Sequence, residues 1–345
     1  MPSSDLKEYR PPQRFLLALL WSVITLGLCF LSLGLGFLVL GENASSDLIV
    51  INVYTFLPAL VALAFLRYLH TGGLTIQPFR YPGFHYVAFG AYYTVVVLAL
   101  TIAVGFLAGE LSPNPNYTPI PEGTLTGVPI LDIAFYLPLF GFIALFSPGG
   151  FIRVLGEEYG WRGYLLPQLV KGRPWVPVMA SVWLVGLVWF LYHVPFFTIF
   201  APVEDPVELA FLLVGSAGVF FGANMAMCWA YLKTKNLWPA LSLHYIWNLT
   251  SPLFTGNVYS KSLGWLNPSF DNLWLVNGEG LIGGTFHLLV GLVFLYLIWR
   301  DKDELLKHYT SFELIEETSA TYGEKKEQVK TDRQSQYPRR KGKRR

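Results

Sequence analysis

FLLALLWSVITLGLCFLSLGLGFLVL, residues 15–40, is an uncharged apolar run of about 26 residues. As a helix it is long enough to cross the roughly 30 Å hydrocarbon core of a bilayer. It lacks a small-residue cleavage site after a short core, so it reads as a retained span that can also direct insertion. Similar runs follow at 48–66, 86–109, 130–147, 176–199, 208–230, 237–252 and 280–299. The run at 130–147 carries Asp132 and Pro138, and the short run at 237–252 carries His244 and Asn248. Backbone groups in hydrocarbon must pair within their own segment, so each run is expected to be a helix. The ten-residue alternation of a transmembrane barrel is missing. The composition agrees: 53% of the 345 residues are hydrophobic and 14% charged, with mean hydropathy +0.43, whereas a soluble domain has about 25% charged residues. The expected fold is all-α, a polytopic transmembrane helical bundle of about eight spans. A cytoplasmic segment at 1–14 precedes the bundle at 15–300, and a polar basic tail follows at 301–345.

The connections supply an independent check. Arg10 and Arg14, Arg67 and Arg80, Arg153, Lys171 and Arg173, Lys233 and Lys235, then Arg300 and Lys302 occupy every second connection. The intervening ones carry Glu42 and Asp47, Glu110 and Glu122, and Glu204 and Asp205, with Lys261 alone against the trend. By the positive-inside rule, both termini of this multi-pass cell-membrane protein are expected in the cytoplasm, and the number of spans is even. The tail ends in RRKGKRR, residues 339–345, which suits a solvated segment or contact with anionic headgroups. The net charge of only +2 and the lack of a recognition module argue against nucleic acid as a partner. Cys29 and Cys228 both lie in apolar runs, so neither a disulfide framework nor a cysteine zinc site can be built.

Three clusters carry chemistry. In GEEYGWRGYLLP, residues 156–167, Glu158 and Arg162 share a helix face while Glu157 projects about 100° away. One acid is then held and the other is free, and neighbouring carboxylates in low dielectric raise the proton affinity of one of them. A juxtamembrane ion-pair network is the plain alternative. In WFLYHVPFF, residues 189–197, His193 sits deep in an apolar span with Pro195 just beyond it. In SLHYIWN, residues 242–248, His244 and Asn248 lie four apart on one face. Either set could serve packing alone, yet ionisable groups inside a membrane point to a functional site. Acids, histidines, an asparagine and an arginine together suit activation of a water against an acyl carbon. No GxSxG elbow and no HExxH pair is present.

EExxxR at Glu157, Glu158 and Arg162, an aromatic-xxx-His at Trp189 and His193, and HxxxN at His244 and Asn248 resemble three signature motifs of one family. It is the CAAX-processing and bacteriocin-processing (CPBP) family of intramembrane proteases, the type II CAAX prenyl endopeptidase or abortive infection family. The resemblance extends over about 130–252, the expected catalytic core. It implies a hydrolase in which Glu157 and His193 activate the attacking water, His244 and Asn248 stabilise the oxyanion, and Glu158 and Arg162 hold the architecture. Because the family is often described as metal-dependent, the resemblance also brings in zinc as a candidate cofactor, with Glu157, His193 and His244 as its ligands. The same residues can work without a tightly held ion. The implied substrate is a membrane-associated peptide or protein; relatives acting on prenylated proteins remove three C-terminal residues, and nothing in the sequence selects that class.

Two other functions fit parts of the pattern. Buried histidines and acids suit a proton path in a transporter or channel, although the matched interrupted helices of inverted repeats are missing. A catalytically silent scaffold or immunity protein could also keep the motif. One geometric tension accompanies the protease reading. His193 lies about 17 residues into its span and His244 about seven, which is about 25 Å against 10 Å of rise. A later start for the span holding His193, or a segment after SPGG (147–150) that dips back into the interior, would bring them together.

Overall fold

The structure, a computed structural model, describes residues 10–45, 47–69, 83–114, 148–171, 176–200, 203–259, 262–267 and 269–310. It is helical: α1 (Pro11–Leu40), α2 (Leu48–Tyr68), α3 (Phe84–Leu107), α4 (Pro148–Glu158), α5 (Leu166–Lys171), α6 (Val178–Pro195), α7 (Pro206–Thr234), α8 (Trp238–Thr255), α9 (Leu273–Val276), α10 (Leu281–Arg300) and α11 (Lys302–Thr310). Two π-helical segments interrupt this order, Tyr159–Leu165 between α4 and α5, and Phe196–Phe200 after α6. The chain divides into two units, Met1–Lys302, which holds the bundle, and Asp303–Arg345. The described part of the second unit is the body of α11, with Asp303 and Glu304 in its first turn, where acids favour the helix dipole.

Among the described residues, six helical segments are long and apolar enough to cross a membrane: Pro12–Leu40, Ile49–Tyr68, Phe84–Leu107, Val178–Ile199, Pro206–Thr234 and Leu273–Arg300. The chain is thus a multi-pass bundle, with six such helices among the described residues against the eight spans expected. The expected span at 130–147 lies outside the described residues. The one at 237–252 exists as α8 but is not among the six. Its reason is physical: Pro239 to Tyr245 are all buried within the protein, so α8 faces other helices and can carry Ser242, His244, Asn248 and Ser251. By contrast, α1 turns Leu16 (65% exposed) and Leu38 (81%) outward, as a lipid-facing helix must.

Helix ends reuse the acidic connections. Asp47 accepts from the backbone N–H of Ile49 and Val50 at 2.9 and 3.0 Å, and Asp205 accepts from that of Val207 at 2.6 Å, so each caps the span it precedes.

Small residues bring helices together where the site is built. Gly215, Gly218 and Gly222 of α7 lie against Gly280, Gly284 and the His287 carbonyl, and a Cβ at any of the three would enter the facing backbone. Gly156 and Gly160 likewise press α4 and the following π turn onto the α2 backbone at Thr55–Pro58. Close approach through glycine is the usual route to tight packing without a hydrophobic drive between helices. In the second case it sets the position of Glu157 and Glu158, which lie between the two glycines.

Candidate active site

Glu157 and Glu158 end α4, and Arg162 belongs to the π turn that follows. Glu158 and Arg162 are fully buried and paired: Arg162 Nη1 donates to Glu158 Oε1 at 2.8 Å. The same carboxylate oxygen meets His244 Nδ1 at 2.8 Å. Arg162 Nη2 donates to Asn224 Oδ1 at 2.9 Å, and Asn224 Nδ2 donates to the Val182 carbonyl at 2.7 Å. The guanidinium also lies over the Trp189 ring, 4.6 Å from its centroid. A charged group removed from water persists only when paired and hydrogen-bonded, and this network joins α4, α6, α7 and α8 through such pairs. Asn224 belongs to none of the three motifs. A polar amide inside the apolar run at 208–230 was the signal available.

In front of this layer, Trp189 Nε1 donates to Glu157 Oε2 at 3.1 Å. His193 Nδ1 lies 3.0 Å from the Trp189 carbonyl. A carbonyl can only accept, so Nδ1 carries the proton and Nε2 is left with its lone pair in the neutral ring. That Nε2 lies 4.0 Å from Glu157 Oε2. The ring itself is stacked on Phe220 with centroids 4.2 Å apart. Burial pushes the Glu157 carboxyl above its ordinary range, against the opposing pull of His244.

The two atoms face a cavity of about 190 Å³. Glu157, His193, His244 and Asn248 all line it, whereas Glu158 and Arg162 do not. An offset of one turn takes up part of the depth mismatch, since the His244 ring packs on Trp189 at 5.3 Å, a turn before His193. The α6 start moves only to Val178, so the shift in boundary contributes little. Among the described residues, no three His, Cys, Asp or Glu side chains are grouped to hold a metal ion. Glu157, His193 and His244 do not form such a group.

Residues 137–250 match the family described as type II CAAX prenyl endopeptidase Rce1-like. Over those residues the chain belongs to that family. No curated protein and no solved structure matches the chain. The Rce1-like segment holds the three motif clusters and Asn224. It ends before Tyr259 and Glu279, which also line the cavity. A third buried histidine, His287, lies outside both the Rce1-like segment and the cavity. Its Nδ1 is 3.0 Å from the Tyr93 hydroxyl, and its ring packs on Trp247 at 4.2 Å.

Proposed function

We propose that the chain is an intramembrane endopeptidase that hydrolyses a peptide bond of a membrane-associated substrate through a water activated by Glu157 and His193. The observation that carries this reading is the 4.0 Å gap between Glu157 Oε2 and His193 Nε2 at the cavity wall. One water between them could hydrogen-bond to both. Water oxygen attacks the carbonyl carbon as its proton passes to this pair, and the carbonyl oxygen becomes an oxyanion. His244 donates its Nδ1 proton to Glu158, so its Nε2 can donate only when the ring is imidazolium, in an ion pair with that carboxylate. Imidazolium Nε2–H and the Asn248 amide then stabilise the oxyanion. When the C–N bond breaks, the proton held by the Glu157–His193 pair goes to the leaving amine. Glu158, Arg162 and Asn224 touch no reacting atom and position His244 and Trp189.

The alternation of basic and acidic connections supports cytoplasmic termini. Arg67, Lys233 and Arg300 stand in the last turns of α2, α7 and α10. The protease reading is tested with the full chain in detergent or lipid, offered membrane-anchored peptides whose products are identified by mass. Glu157→Ala and His193→Ala are each expected to stay folded and yield no product. Retained cleavage by both would remove the mechanism, and substrate uptake into sealed vesicles without proteolysis would favour a transporter.

A further inference from the structure

The lining of the cavity holds a second carboxylate, that of Glu279. The Tyr259 hydroxyl donates to Glu279 Oε2. A phenol has one proton to give, so the carboxylate is the acceptor, and its other oxygen has no protein donor among the described residues. The backbone around Glu279 is tied to separate elements. Its N–H donates to Asn277 Oδ1 at 2.9 Å, and Asn277 Nδ2 donates to the Gly256 carbonyl at 2.7 Å. Ser216 Oγ of α7 donates to the Glu279 carbonyl at 3.2 Å. The Tyr259 ring lies 6.4 Å from that of His193, and both residues line the same cavity as Glu279.

The electrostatics of the cavity then select its occupant. Glu157 and Glu279 face it, and no described lysine or arginine lines it. Apart from two histidines, the remaining walls are neutral: Phe220, Trp247, Ser251 and Asn277 among them. A half-buried carboxylate with an open acceptor position gains from a cation that arrives with hydrogens to donate. We infer that Glu279, oriented by Tyr259, is the specificity carboxylate of this cavity and takes a positively charged nitrogen of the substrate. Two sources share that chemistry: a Lys or Arg side chain beside the scissile bond, and a free N-terminal ammonium. This rests on the endopeptidase reading for its role in turnover, but the binding of the cation does not depend on cleavage.

The test uses the full chain with membrane-anchored peptides that differ at one position (Lys, Arg or norleucine), each with a free or acetylated N-terminus. Wild type is expected to favour the cationic peptides in kcat/KM. Glu279→Gln, which still accepts from Tyr259, is expected to lower the ratio of cationic to norleucine peptides by about tenfold, mainly through KM. A preference that follows Lys or Arg names the side chain as the source, and one that follows the free terminus names the ammonium. A ratio left unchanged by Glu279→Gln overturns the assignment, including the case where all peptides slow equally. Thermal stabilisation of the detergent-solubilised chain by Nα-acetyl-lysine methylamide and by glycine methylamide reads binding alone. At least one of these probes is expected to raise the Tm of wild type and of Glu157→Ala, with no shift for Glu279→Gln or for the norleucine analogue. If no peptide is cleaved but these shifts hold, the protease reading falls and the cation site stands; equal shifts with and without Glu279 sink the site itself.

Discussion

Adjacent residues Glu157 and Glu158 stand in two different layers of the same molecule. Glu158 lies behind the cavity, where Oε1 is shared between Arg162 and His244 at 2.8 Å each. Glu157 lines the cavity, where the Trp189 indole N–H donates to it and a histidine nitrogen faces it 4.0 Å away. The rear layer pairs its charges with one another and does not line the cavity, although Glu158 Oε2 and Arg162 Nε meet no hydrogen-bond partner among the described residues, so it can fix geometry but presents nothing to a substrate. The front layer keeps open positions, which cost stability and permit chemistry. Both states follow from one turn of backbone, pressed onto α2 at Gly156 and Gly160 and passing between these glycines from α4 into a π turn, a feature often found at functional sites.

Substitutions in the two layers should therefore fail in different ways. The largest effect belongs to Glu157→Gln, which keeps the shape and the contact with Trp189 but removes the proton acceptor. Peptide hydrolysis is expected to fall by about 10²–10⁴-fold, while the thermal unfolding of the detergent-solubilised protein moves little. A variant that unfolds early yet turns over normally would erase the distinction between the layers.

Behind the cavity the order reverses, with stability lost first. Arg162→Leu leaves the buried Glu158 carboxylate with His244 as its one partner among the described residues and takes the guanidinium from Asn224 Oδ1, which should cost roughly 3–5 kcal/mol. Early thermal unfolding or loss of folded protein on extraction is the readout. Asn224→Ala removes a neutral link, leaving the Val182 carbonyl and one guanidinium N–H without their partner, so a smaller loss of about 1–3 kcal/mol is expected. If Arg162→Leu proves as stable as Asn224→Ala, the rear layer is not the electrostatic lock described above.

Much of the front layer was legible because its residues sit in short local patterns. Helical spacing alone separates Glu157 from Glu158 and pairs Glu158 with Arg162, and it places His244 and Asn248 on one face. What local spacing cannot report is which helices meet. Asn224 is uncharged and far from every motif, and only the packing of α7 beside α6 makes it the link between Arg162 and Val182. Glu279 is invisible for the same reason, since it follows the end of α8 by a stretch that only the folded chain brings beside His193. Hydropathy also misleads at α8, whose length suggests a span while its buried face relieves it of the need to be apolar.

His287 gives the smallest expected effect and the sharpest control on the meaning of a buried histidine. Like His193 it lies within an apolar helix, and it was not among the sequence candidates although its span was. Its exposure is 0% against 14% for the His193 side chain. Its Nδ1 is engaged by Tyr93 and its Nε2 meets no polar atom among the described residues. No carboxylate pairs with it among the described ion pairs, and it does not line the cavity. His287→Phe keeps a ring against Trp247 and removes an unsatisfied polar atom, at the cost of the Tyr93 hydroxyl's partner. These opposing terms should leave Tm changed by a few degrees at most, and the cleavage rate within about twofold, since nothing that touches the reacting atoms is altered. A loss of rate comparable to that of His193→Ala, with Tm preserved, would mean that the catalytic layer reaches beyond the cavity to the α3–α10 contact, and the two-layer description would have to be redrawn.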